Sequence, residues 1–208
     1  MPITASSARG GGTLQVVERI ADLRAVLGAR RHAGARIALV PTMGFLHDGH
    51  LSLVDEARRR ADVVVMSLFV NPTQFAPTDD LSRYPRDFAG DVSKATSRGA
   101  DVLFAPEAAE LYPGARVVEV RPVAIADLWE GAVRPGHFAG MLSVVAKLFN
   151  IVQPDVAVFG QKDYQQATLV RAMVRDLDFP IELVLAPTVR EPDGLAMSSR
   201  NTYLEGED

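Results

Sequence analysis

The run Val63-Val64-Val65-Met66-Ser67-Leu68-Phe69-Val70 constrains the fold of this chain more than any other segment. It is apolar on both of its alternating faces, the pattern of a central strand in a parallel sheet that helices cover on both sides. Residues 37–40, 102–104, 156–159 and 181–186 read as further strands, and segments with a helical period lie between them. Ile20, Leu23 and Leu27 begin a helix that should stop near Gly34, and Leu51, Val54 and Ala57 begin a second. Residues 87–98 read as a third. Phe138, Leu142, Val145, Phe149 and Val152 then keep one stripe over four turns, and residues 165–177 complete the set. This alternation predicts an α/β fold, a Rossmann-like parallel sheet with helices on both faces and right-handed crossovers. Ligands in such sheets sit beyond the carboxyl ends of the strands. That rule selects the loops 41–50, 71–75, 160–163 and 189–200.

Composition narrows the partners. The 208 residues suffice for one large domain with a substantial core. With 48% hydrophobic and 23% charged residues the balance is that of a globular protein. A net charge of −4 argues against a surface that coats nucleic acid. The absence of cysteine excludes disulfides, thiolate nucleophiles and Cys-based zinc sites. No apolar stretch approaches the roughly 20 residues of a membrane span, and residues 1–12 lack the apolar core of a signal peptide. The expectation is a cytoplasmic domain with neither nucleic acid nor membrane as partner, preceded by a loose tail over residues 1–12.

Where residues 37–40 end, Pro41-Thr42-Met43-Gly44-Phe45-Leu46 leads into His47-Asp48-Gly49-His50. A strand that empties into a Gly-containing turn, with two histidines where a helix begins, gathers backbone N–H groups, a helix N-terminus and two imidazoles. An anionic phosphate needs such a place. The turn is not a P-loop, because His50-Leu51 stands where Lys and Ser/Thr are required, and no G-x-G-x-x-G occurs. The bland alternatives are a capped helix start without a ligand, or a two-histidine metal site for which a third ligand is hard to nominate.

Gly160-Gln161-Lys162-Asp163 also joins a strand to a helix. Asp163 reads as an N-cap, whereas Lys162 sets a cation against the macrodipole, a conflict that a bound phosphate removes. Met197-Ser198-Ser199-Arg200 is by itself an ordinary turn sequence. Beside the other loops, its hydroxyls and guanidinium can close over the β- and γ-phosphates of a nucleotide. Gln74 and Gln166 are neutral amides near strand ends, suited to solvent or to the hydroxyl and carboxylate groups of a small substrate. The polar stretch 73–85 is too long for a tight connection and reads as a substrate loop. His137 reads as the start of the long helix, and His32 as a solvated helix residue.

The H-x-G-H pattern after a strand resembles the signature of nucleotidyltransferases related to class I aminoacyl-tRNA synthetases. Five segments in order narrow the resemblance: P-T-M-G with H-D-G-H at 41–50, F-V-N-P-T-Q-F at 69–75, R-P-G-H-F-A-G at 134–140, F-G-Q-K-D-Y-Q-Q at 159–166 and D-G-L-A-M-S-S-R-N at 193–201. From about Thr13 to Leu204 the chain is similar to the pantoate–β-alanine ligase family of coenzyme A biosynthesis. The resemblance implies ATP-dependent condensation of (R)-pantoate with β-alanine to pantothenate, through a pantoyl adenylate, with release of AMP and pyrophosphate. It also implies Mg2+ accompanying ATP, and a homodimer.

Position by position, the resemblance implies a first ATP segment made of Met43, Gly44, Phe45, Leu46, His47, Asp48, Gly49 and His50. His50 matches the residue assigned as proton donor, and His47 and Lys162 join it as catalytic groups. Gly160, Gln161, Lys162 and Asp163 match the second ATP segment, Val189 a backbone contact to the nucleotide, and Met197, Ser198, Ser199 and Arg200 the mobile phosphate loop. Gln74 and Gln166 match pantoate contacts, Gln74 lying near β-alanine as well. Gln161 stands where many members have Glu. No protein ligand for Mg2+ follows from the sequence. Family members continue into a smaller C-terminal domain, so residues 13–208 read as the ATP- and pantoate-binding domain without it. Two other readings stay open here: a related nucleotidyltransferase acting on a phosphorylated vitamin precursor, and a nucleotide-binding or dimerisation domain without turnover.

Overall fold

Alternating burial along each central strand lets one sheet serve two cores. In β3 (Ile37–Thr42), Ile37 and Leu39 enter one apolar cluster while Ala38 and Val40 enter the other. In β4 (Val63–Leu68), Val63 and Val65 face the first cluster, and Val64 and Met66 the second. The computed structural model describes residues 4–6, 13–76 and 81–204. Its other strands are β1 (Thr4–Ser6), β2 (Thr13–Val17), β5 (Val102–Phe104), β6 (Val156–Gly160) and β7 (Glu182–Ala186). Its helices are α1 (Ile20–His32), α2 (Asp48–Arg58), α3 (Phe88–Ser97), α4 (Ala108–Leu111), α5 (Glu130–Val133), α6 (His137–Val152) and α7 (Tyr164–Asp176). Side chains of α1, α6 and α7 fill the first cluster, and those of α2 and α3 the second. The layers are therefore helix, sheet, helix.

The strand order is β1-β2-β5-β4-β3-β6-β7, parallel from β2 to β7 with β1 antiparallel at the edge. From β3 the chain builds outward through β4 and β5 on one side, and through β6 and β7 on the other. The crevice between β3 and β6 is the topological switch point, where open α/β sheets bind ligands. The β3–β4 ladder runs from Ile37↔Val63 to Thr42↔Leu68, whereas the β3–β6 ladder consists of Ala38↔Val156 and Leu39↔Ala157. It stops before Pro41, which has no N–H to donate. The two strands part there.

Three aspartates repeat one device at the amino ends of the strands. Asp62, Asp101 and Asp155 each precede a strand, and each carboxylate accepts an N–H from a neighbouring strand's start: Arg36 at 2.9 Å, Val64 at 2.8 Å and Ile37 at 2.7 Å. A hydrogen bond to a charged acceptor contributes about 1.5–3 kcal/mol where it is shielded from water.

The strands expected from the apolar runs are present with shifted ends. β4 stops at Leu68 instead of Val70, β3 extends to Thr42, and β7 begins at Glu182. Thr13–Val17 and Thr4–Ser6 form strands that the sequence reading did not anticipate. Thr4–Ser6 falls within the stretch expected to be a tail, and the rest of that stretch lies outside the described residues.

Candidate active site

The parting of β3 and β6 leaves a cavity of about 210 Å3 at the carboxyl edge of the sheet. Met43, His47, Gly49 and His50 line it from the β3–α2 loop, and Gln74 from the 3-10 turn after β4. Gly160, Lys162, Asp163 and Gln166 line it from the β6–α7 connection, and Val189, Met197, Ser198, Ser199 and Arg200 from the last loop. All four loops selected by the sequence thus meet at one place. Gly44, Phe45, Leu46, Asp48 and Gln161 are not among the lining residues.

The histidine turn is built by local hydrogen bonds. His47 is the N-cap of α2: its Nδ1 accepts the Gly49 N–H at 3.1 Å, while Nδ1 of His50 accepts the His47 N–H at 3.4 Å. This is a reciprocal capping box made with two imidazoles, in the place of the usual hydroxyl and carboxylate. Gly49 is required by it, since a Cβ there would lie 2.8 Å from Cε1 of His47. Because each Nδ1 accepts, the proton of each neutral ring sits on Nε2. Burial, aided by His47, Lys162 and Lys94, lowers the His50 pKa to about 3. Burial, with Lys162 adding to it, lowers that of His47 as well. Near neutral pH the pair therefore consists of two uncharged Nε2–H donors beside a helix N-terminus.

The β6–α7 connection supplies the positive charge. Lys162 Nζ pairs with Asp163 Oδ1 at 3.1 Å, and both groups are partly exposed. Asp163 occupies the N-cap position of α7, yet its side chain makes no capping bond. In the last loop Ser199 Oγ donates to the Phe45 carbonyl at 3.2 Å, and the Arg200 guanidinium lies 5.7 Å from the centre of the Tyr84 ring.

Gln74 is 7% exposed and held from several sides. Its Oε1 accepts from Asn71 Nδ2 at 3.1 Å, its Nε2 contacts Met43 Sδ at 3.3 Å, and its carbonyl accepts from His137 Nδ1 at 2.8 Å. The turn packs on α6 at Gly140, where a Cβ would come within 2.1 Å of the Thr73 carbonyl oxygen. Facing these amides, Phe69, Met141, Val144, Val145, Leu148 and Phe159 form an apolar wall.

Sequence reasoning left several of these groups without a role. Asn71 is 1% exposed and also accepts from the Tyr112 hydroxyl at 2.9 Å. Its signal was legible as an N-cap before Pro72. His137 begins the long helix as expected, but it also anchors the Gln74 backbone. Asp91, 1% exposed on α3, binds the backbone N–H groups of Phe45 and Leu46. Nothing in the spacing of the sequence marks a lone Asp in a first helical turn as special.

A parallel sheet with a histidine-capped helix at its switch point defines a Rossmann-like protein of the nucleotidyltransferase type. A family profile described as pantoate-beta-alanine ligase matches residues 15–208, and the chain belongs to that family. It is 57% identical over 191 residues to pantothenate synthetase 1 of Bradyrhizobium diazoefficiens, covering 92% of this chain and 68% of that protein. Pantothenate synthetase of Moorella thermoacetica is 55% identical over 194 residues, with 93% and 69% covered. The crystal structure of pantothenate synthetase from Thermus thermophilus superimposes with a TM-score of 0.88 at 53% identity, over 92% of this chain and 68% of that one. The pantoate-beta-alanine ligase of Francisella tularensis, solved in complex with beta-gamma ATP and beta-alanine, gives a TM-score of 0.88 at 39% identity, with 93% and 74% covered. The family is one of ATP-dependent ligases that form pantothenate. The chain spans about two thirds of the length of these relatives.

No group of three His, Asp or Glu side chains that could hold a metal occurs among the described residues. The described residues do not build a protein cage for Mg2+. No helix among the described residues is long and apolar enough to cross a membrane.

Proposed function

We propose that this chain binds ATP and pantoate side by side in the β3–β6 cavity and forms pantoyl adenylate there, then pantothenate. One observation carries this reading: Lys162, the Nε2–H donors of His47 and His50, the α2 N-terminus and Gln74 all border a single cavity. The donors and the helix terminus suit the triphosphate. The buried amide of Gln74 and the partly buried amide of Gln166 suit the hydroxyl and carboxylate groups of pantoate, and the apolar wall suits its dimethyl carbon.

The chemistry has two steps. The pantoate carboxylate attacks the α-phosphorus of ATP, and the bond to the β-phosphate breaks to release pyrophosphate. The amine of β-alanine then attacks the acyl carbon, and the acyl–phosphate bond breaks to release AMP. A carboxylate is already nucleophilic, so the first step needs alignment and charge neutralisation more than a base. Lys162, by its charge, and His47 and His50, as Nε2–H donors, stabilise charge that develops on the phosphates, and Ser198, Ser199 and Arg200 close over the leaving pyrophosphate. The phosphates raise the proton affinity of His50, which fits the proton-donor role that the family resemblance implies.

The neutral amides favour a hydroxy-acid that carries no phosphate over a phosphorylated precursor, which separates this reading from that of a related nucleotidyltransferase. We place the protein in the cytoplasm, where ATP is at hand, as a homodimer. Val117, Val118 and Val123 are 94%, 83% and 102% exposed, apolar side chains that contact with a second copy would bury. Lys162→Ala should lower pantoate-dependent pyrophosphate release by ~10²–10³-fold, the range for removing one such donor. A loss under threefold contradicts the assignment.

A further inference from the structure

The histidine turn is fixed from outside by a neighbouring helix. Immediately before it, Phe45 adopts φ 52, a left-handed conformation uncommon for a bulky side chain. Asp91, in the first turn of α3, grips that step: one carboxylate oxygen accepts the Phe45 N–H at 2.9 Å, and the other accepts the Leu46 N–H at 2.7 Å. One turn further along the helix, Lys94 Nζ donates to the Leu46 carbonyl at 2.8 Å. The approach is close, since a Cβ on Gly44 would lie 3.0 Å from Asp91 Oδ2. Burying a carboxylate is costly unless its oxygens are satisfied. Here they are satisfied by backbone alone at the peptide units that deliver His47 to the N-cap. Desolvation pushes the Asp91 pKa up while the two backbone bonds oppose it.

We propose that Asp91, seconded by Lys94, is a positioning residue that fixes the left-handed step at Phe45 and thereby aims His47 and His50 into the cavity. Neither residue lines the cavity, so both act through the turn. This inference rests on the nucleotide reading for its ligand, but the geometry of the turn can be measured without one.

The test compares Asp91→Asn with Asp155→Asn in the 208-residue chain. Each removes a carboxylate that accepts backbone N–H bonds, but Asp155 staples a strand at the opposite edge of the sheet. In Asp91→Asn the new amide N–H₂ confronts a backbone N–H. The readouts are the imidazole tautomers from 15N NMR on ligand-free protein, ATP affinity by calorimetry, and thermal unfolding. For Asp91→Asn, His47 and His50 should lose their uniform Nε2–H tautomer, and ATP should bind about tenfold to a hundredfold more weakly, the effect of one charged hydrogen bond. Asp155→Asn should lower thermal stability and leave both other readouts unchanged. Asp91→Asn that matches Asp155→Asn in tautomers and in ATP affinity overturns the proposal. If Asp91→Asn does not fold, Lys94→Met takes its place, with a smaller shift in the same direction expected and no shift overturning the idea. Should the unaltered chain not bind ATP, the nucleotide reading fails, and the tautomers alone decide the role of Asp91.

Discussion

Gly140→Ala sets two effects against each other, and their magnitudes decide the sign. Position 140 lies inside α6, where Ala is favoured over Gly by about 0.8–1 kcal/mol of helix propensity. A Cβ at that position, however, would lie 2.1 Å from the Thr73 carbonyl oxygen, 2.5 Å from its carbon and 2.7 Å from the Gln74 nitrogen. Ordinary contact begins at 3.4 Å, so the turn must retreat by about 1.3 Å. The obstacle is backbone, which cannot rotate aside as a long side chain would. Overpacking of this kind costs about 1–3 kcal/mol, and the retreat also strains the bond from Asn71 Nδ2 to the Gly140 carbonyl at 3.2 Å. The clash, against backbone at 2.1 Å, should fall in the upper part of its range and win, for a net loss of up to about 2 kcal/mol. Because the displaced backbone carries Gln74, pantoate use should suffer more than stability: a misplacement near 1 Å can cost ~10²-fold. ATP affinity should stay near that of the unaltered chain, since Lys162 and the α2 N-terminus belong to other loops of the cavity. Thermal unfolding, pantoate titration and ATP titration on one preparation check all three. Gly140→Ala with unchanged or raised stability and unchanged pantoate binding would refute the reasoning.

Gln74→Ala removes the amide while leaving the backbone in place; it should weaken pantoate binding with ATP binding nearly unchanged, and equal losses for the two ligands in calorimetry contradict the assignment. The buried histidines predict an acid-side loss of stability. The unfolded chain takes up a proton at His50 near its ordinary pKa of 6.5, whereas the folded chain resists until about 3. Between those values the unfolded state binds more protons, so stability falls as pH falls, approaching ~1.4 kcal/mol per pH unit for one group. His47 contributes in the same direction. His50→Gln should flatten this dependence in unfolding measured from pH 7 to 4, and an unaltered acid slope would show that His50 is not buried as described.

How far the sequence foretold the molecule follows from which forces leave a local pattern. β3, β4, β5 and β6 were legible because strands buried on two faces must be apolar throughout, and the edge strand β7 from a shorter apolar run whose Leu183 and Leu185 are only partly buried. α6 was legible from its stripe, and the four carboxyl-edge loops from topology. β2 escaped notice because five residues with exposed Thr13 and partly buried Gln15 make no clear run. The edge strand Thr4–Ser6 pairs through its backbone, which no side-chain pattern records. Within the site, Lys162 and the two histidines announced themselves by type and position. Asp91 and His137 did not, and Asn71 was legible only as an N-cap, because each acts on backbone from a distant segment, at separations of 45, 63 and 69 residues for Asp91, His137 and Asn71. Gly140 could be read as part of a motif, but only the approach of Thr73 shows what it is for.

The most direct test of the account is calorimetric titration of a non-hydrolysable pantoyl-adenylate mimic into the 208-residue chain, with Lys162→Ala as control. The account predicts binding near one per chain, weakened at least about tenfold in the variant by loss of a charged hydrogen bond. A folded chain that does not bind the mimic, or binds it equally well without Lys162, would contradict the claim that the β3–β6 cavity holds both substrate subsites.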